Sequence, residues 1–118
     1  MKLKTLASLT AIFILLTLVI PGAQAQDNGP AGITFSGGPG DSMETAVIIK
    51  GARNSSDGVQ AEYYYLEKKF GRQNVDWKLD RQRLMGKKGK KFDLLMIILK
   101  DGAKKNVYFD ITEFFGKL

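Results

Sequence analysis

The sequence predicts an α+β domain in which one amphipathic helix packs on a small antiparallel sheet, in the order β-α-β-β-β. Three observations carry that expectation. An apolar repeat of helical period, Val59, Tyr63, Leu66 and Phe70, follows a cluster of capping residues. One β-branched run, Val47-Ile48-Ile49, precedes it. Three later segments alternate with a period of two or are apolar on both faces, and turn residues separate them.

Residues 1–25 read as a signal peptide. Lys2 and Lys4 form a basic start, and an uncharged apolar run extends from Leu6 to Ile20. Pro21 and Gly22 break that run, and Ala23-Gln24-Ala25 supplies the small-x-small pattern of a cleavage site. The alternative is an uncleaved membrane anchor, since the run is about long enough for a short span of roughly 17 or more residues. The helix breakers followed at once by Ala23 and Ala25 favour cleavage. The expected mature chain starts at Gln26 and is periplasmic or secreted, not an integral membrane protein.

Residues 26–42, rich in Gly, Pro, Asn and Ser, read as a flexible tail in which only Ile33 and Phe35 offer anchors. Within it, "SGGPGDS" resembles a phosphate-cradling loop. Such a loop needs a lysine after its second glycine and a helix directly behind it. Neither is present, so a linker is the expectation.

Residues 43–118 read as the single domain. Met43 to Ala52 is the first strand, bounded by Gly51. Asn54 to Phe70 is the helix. Asn54, Ser55, Ser56 and Asp57 offer N-caps, Asp57 and Gln60 have capping-box spacing, and Gly71 is a natural C-terminal stop. Tyr63 is expected inward, with Tyr64 and Tyr65 sideways. Val75 to Met85 alternates, with Val75, Trp77 and Leu79 on one side. Arg81 and Arg83 then fall on that same apolar side, so either a bulge shifts the register or that end leaves the core. "GKKGKK", Gly86 to Lys91, reads as a turn. Phe92 to Lys100 is apolar on both faces, as a central strand would be. Asp101-Gly102 marks a hairpin. Asn106 to Thr112 returns with Val107, Phe109 and Ile111 inward and Asp110 outward, and "EFFGKL" packs Phe114 or Phe115.

Composition excludes several functions. The chain of 118 residues has no histidine and no cysteine. Disulfides, thiol chemistry and zinc on His or Cys ligands are therefore impossible. A carboxylate-only metal site remains conceivable, but no residues mark a metal or cofactor site. Lys2 and Lys4 carry two of the +6 net charge, which leaves +4 on the mature side chains. That balance permits an anionic partner without demanding one.

Three features suggest chemistry or recognition. Lys87, Lys88, Lys90 and Lys91 crowd one hairpin tip. They fit first a solvated tip whose charges discourage edge pairing, and second contact with an anion: lipopolysaccharide, anionic phospholipid or an acidic protein. No aromatic residue is interleaved with them, and an exported protein is in the wrong compartment for nucleic acid. The many aromatic residues fit a core built without disulfides, yet Tyr64, Tyr65 and Tyr108 could edge a partner-binding surface. Asp110 and Glu113 form the one carboxylate pair placed for acid-base work. Capping and a helix dipole explain Glu113 as well, so no catalytic residue is assigned.

The stretches "GDSMETAVIIKGARNSSDGVQAEYYYL", "DW" and "DGAKKNVYFDITEFFGK", between Gly40 and Lys117, resemble a set of small exported bacterial proteins of unknown function. The resemblance implies a compact exported domain and no activity. The expected function is a non-enzymatic binding module, for a protein partner in the cell envelope. The alternative is an anionic envelope surface bound through the lysine tip.

Overall fold

A computed structural model describes residues 29–118. The signal-peptide reading, with Ala23 and Ala25, lies outside the described residues. Those residues form one helix and five strands: β1 Thr34–Gly37, β2 Val47–Lys50, α1 Ser55–Phe70, β3 Trp77–Lys87, β4 Lys90–Leu99 and β5 Lys104–Asp110. The sheet order is β1-β2-β5-β4-β3. The α+β class holds, and the order β-α-β-β-β follows one additional strand at the start. No helix among the described residues is long and apolar enough to cross a membrane.

Two sheet details depart from expectation. β2 runs parallel to β5, with Val47 opposite Phe109 and Ile48 opposite Asp110, so the sheet is mixed. The crossover through α1 brings the first strand of the predicted domain back beside the last, which places β2 inside the sheet. The segment read as tail also contributes β1, which pairs antiparallel with β2 from Thr34↔Lys50 to Gly37↔Val47. Phe35 stacks on Tyr64 at 6.1 Å and meets Tyr65 at 5.5 Å. One alternating apolar pair, Ile33 and Phe35, is enough to anchor an edge strand when its partner is already ordered.

The "SGGPGDS" stretch closes on itself as a turn. The Gly40 N–H donates to the Thr45 carbonyl at 2.7 Å, and the Ser42 and Thr45 hydroxyls lie 2.9 Å apart. Gly37 and Gly40 have φ of 85° and 91°, which side-chain-bearing residues rarely adopt.

α1 is capped by Asn54, whose Oδ1 accepts the Asp57 N–H at 2.9 Å. Asp57 pairs with Arg53 at 2.8 Å, so the capping box with Gln60 does not form. The helix buries Gly58, Ala61, Glu62 and Leu66, whereas Val59 is exposed. The face is thus rotated from the expected one. Small residues permit close approach: a Cβ at Gly58 would stand only 2.1 Å from the Phe114 ring. Tyr65 turns inward rather than sideways, edge-on to Phe109 at 5.6 Å.

α1 covers one face of the sheet, over Val47, Ile49, Leu95, Ile97, Val107 and Phe109. Trp77 closes one end, its indole N–H donating to the Gly71 carbonyl at 2.7 Å. Val75 belongs to the turn before β3 and is exposed. Phe114 fills the opposite end, 2% exposed, while Phe115 remains outside.

Candidate functional site

The other face of the sheet is where the site takes shape. β4 sits between β3 and β5, and its residues alternate between the two faces. Leu95 and Ile97 go to the helix side, so Phe92, Leu94, Met96 and Ile98 go to the open side. Strand register assigns their neighbours. Ile98 lies between Lys78 on β3 and Lys104 on β5. Met96 lies between Arg81 and Asn106, and Leu94 between Arg83 and Tyr108. Phe92 lies between Met85 and Asp110, beyond which comes Ile48 of β2.

The two arginines reach this face because of a β-bulge between Leu79 and Arg81. Leu79 opposes Ile97 on the helix side, but Arg81 opposes Met96 on the open side. The extra residue, Asp80, reverses the alternation, so neither guanidinium enters the core. An apolar row therefore runs along β4, with Lys78, Arg81 and Arg83 on the β3 flank and a single cation, Lys104, on the β5 flank. Among the described residues, none of Lys78, Arg81, Arg83 and Lys104 forms an ion pair.

The lysine tip ends the same face. The turn itself is only Lys88-Gly89, with φ of 52° and 80°, the two left-handed positions of a type I′ hairpin. Lys87, Lys90 and Lys91 belong to the strands. Lys87 is bound at 3.3 Å to Glu44, whose carboxyl is held below the ordinary range by its own backbone N–H and then by Lys87. The Lys91 ammonium stands 5.2 Å from the Phe115 ring centre. Lys88 and Lys90 have no ionic partner among the described residues. A cavity of about 310 Å³ lies under the tip, floored by Ile48, Phe92 and Asp110 and edged by Met43, Lys87 and Lys90.

The three tyrosines do not share a surface. Tyr64 and Tyr65 lie on α1 against Phe35, while Tyr108 lies on the open sheet face. Tyr108 is thus the one tyrosine of the three on the face that carries the apolar row of β4.

Asp110 is buried rather than solvent-facing. It accepts the Thr112 N–H at 3.0 Å and the Thr112 hydroxyl at 2.6 Å, while that hydroxyl oxygen accepts the Lys91 N–H at 3.1 Å. Glu113 accepts the Gly51 N–H at 2.6 Å. Both carboxylates tie the C-terminal turn to neighbouring strands. No group of three or more potential metal ligands gathers among the described residues.

One buried group escaped sequence reasoning. Glu62 is fully buried under α1, and neither carboxyl oxygen has a hydrogen-bond partner. Burial, and then neighbouring Asp93 on the helix side of β4, push its carboxyl up to about 10. The two carboxyls act on each other without a hydrogen bond of good geometry. Burial and the same pair also raise the Tyr63 phenol. Neither acid lines any of the three cavities described among these residues. Helical spacing from Gly58 and Leu66 was the only available signal, because a carboxylate does not register as apolar.

Comparisons with protein-family models, with characterised proteins and with solved structures found no match to this chain.

Proposed function

We propose that this protein is an exported, non-enzymatic binding module, periplasmic or secreted, that takes an acidic protein partner on the open face of its sheet. The apolar row of β4 between unpaired cations on β3 and β5 carries the reading. Arginine suits such a role because its planar fork meets carboxylates in bidentate fashion. A non-enzymatic role is supported by Asp110 and Glu113, whose carboxylates are both held by structural hydrogen bonds. Tyr108, beside Leu94 on the open face, remains the tyrosine expected to touch the partner.

The test is a cell-envelope pull-down with three proteins: wild type, Arg81→Glu/Arg83→Glu, and Lys87, Lys88, Lys90 and Lys91 all changed to Ser. One protein recovered by wild type and by the serine variant, but not by the glutamate variant, is the expected result. Equal recovery by all three would reject the open face as the site.

One observation favours a second reading, an anionic envelope surface held by the lysine tip. Lys88 occupies a left-handed turn position that Asn or Gly fills with less strain. A lysine in that strained position places its charge at the very tip of the hairpin, where an anion can reach it. Recovery of lipid or polyanion alone, lost in the serine variant and at physiological salt, would select this reading.

A further inference from the structure

Resting on the protein-binding reading above, we propose that the occupant of the open face is an acidic amphipathic α-helix. It lies along β4 with its apolar stripe on Met96 and Ile98, and with carboxylates directed to Arg81 and Arg83 on one flank and Lys104 on the other.

The dimensions of the face argue for a helix. β3 and β5 are the two neighbours of β4. At about 4.8 Å per strand, the cationic flanks stand about 9.6 Å apart. A helix with its side chains is about 10–12 Å across, so one helix spans from flank to flank and leaves no room for a second. From Ile98 to Leu94, the stretch flanked by Lys78, Arg81 and Arg83, the row runs about 13 Å, within the length of a helix of about fourteen residues. Met96 and Ile98 are its half-buried members, while Leu94 and Phe92 are 4% and 5% exposed. An apolar stripe with acidic residues mainly along one edge, and one acidic residue at the end of the other, mirrors Lys78, Arg81 and Arg83 on β3 and the single Lys104 on β5.

Charge complementarity fixes the sign. Lys78, Arg81, Arg83 and Lys104 are exposed and lack ionic partners among the described residues. Asp110, which shares this face, is already closed by Thr112. Asp80 is the sole carboxylate of β3 and sits in the bulge.

Two other occupants fit less well. A strand added beside Arg81 and Arg83 would pair with the outer edge of β3, where the bulge at Leu79–Arg81 breaks the regular register. A lipid surface calls for apolar side chains that project into it. Here Leu94 is 4% exposed and Met96 and Ile98 are half-buried, flush with the sheet. The large hydrophobic side chains that stand exposed, such as Val59, Leu84 and Phe115, belong to other surfaces.

The experiment titrates the purified protein with three probes. The first is a synthetic fourteen-residue helix with a leucine stripe edged by glutamates, the second the same helix with lysines for glutamates, and the third phosphatidylglycerol vesicles. The glutamate helix is expected to bind, to weaken as salt rises, and to shift amide resonances of β3, β4 and β5. Arg81→Ala/Arg83→Ala is expected to weaken it about tenfold or more. Lys104→Glu, on the opposite flank, keeps the test decisive if the arginine variant misfolds, and should weaken binding alone. Equal binding of both helices, no loss in either variant, or binding of vesicles only would overturn the proposal. Failure of the glutamate helix alongside a partner captured through Arg81 and Arg83 would sink the helix and leave the binding module standing.

Discussion

Glu62 is a buried carboxylic acid whose two oxygens have no hydrogen-bond partner in the fold. Its carboxyl sits near 10 in the folded chain against an ordinary value of 4.5. Between those values the native protein holds a proton that the unfolded chain has released. Stability is therefore fully present below about pH 4.5, falls as pH rises through that window, and levels off above about 10. Glu62→Gln stays neutral throughout, so its melting temperature should match wild type at pH 5 and exceed it at pH 9. Parallel melting profiles for the two proteins would mean that Glu62 does not titrate this way. Lys88 is strained for a different reason, its φ of 52°. Asn tolerates that conformation, so Lys88→Asn should stabilise by about 1 kcal/mol in urea unfolding. No gain would mean that the turn relaxes in solution.

α1 shows how far a local pattern reaches. Its limits were legible, because Asn54 and Gly71 act through backbone hydrogen bonds that neighbouring residues alone decide. Its buried face was only partly so. Leu66 was identified, but Gly58, Ala61 and Glu62 were not, since small and acidic residues carry no apolar signal. They sit inward because the helix must approach Phe114, fifty-odd residues away in sequence. Gly58→Ala ordinarily favours a helix by about 0.5–1 kcal/mol. Here the added Cβ meets the buried Phe114 ring, so destabilisation of about 1–3 kcal/mol is expected. In a Phe114→Ala background the same change should become neutral or stabilising. Additive effects across that cycle would mean that the two positions do not touch.

The sheet joins distant parts of the chain, and that is where the sequence was least legible. Strand alternation found the β3-β4-β5 meander, whose partners are neighbours in sequence. It also raised the Arg81 problem, which the bulge at Asp80 answers. The parallel β2–β5 pairing carries no local sign, and neither does the open face, since each flank comes from a different strand. β1 was missed because four residues among glycines hold order only against β2. Its role concerns the whole sheet. β3 guards one edge with charge and a bulge. At the other edge, β1 covers Val47, Ile48 and Ile49, an apolar run that would otherwise present unpaired backbone to solvent. Removing residues 29–37 should therefore do two things at once. The melting temperature should fall by several degrees, since Ile33 and Phe35 leave the core margin and each kcal/mol lost is worth about 4–8 °C in a domain this small. The bared β2 edge should also pair between molecules, giving light scattering that grows with concentration and fades when Ile48→Lys is added. A truncated protein that melts unchanged and stays monomeric would show that β1 neither supports the core nor shields the edge.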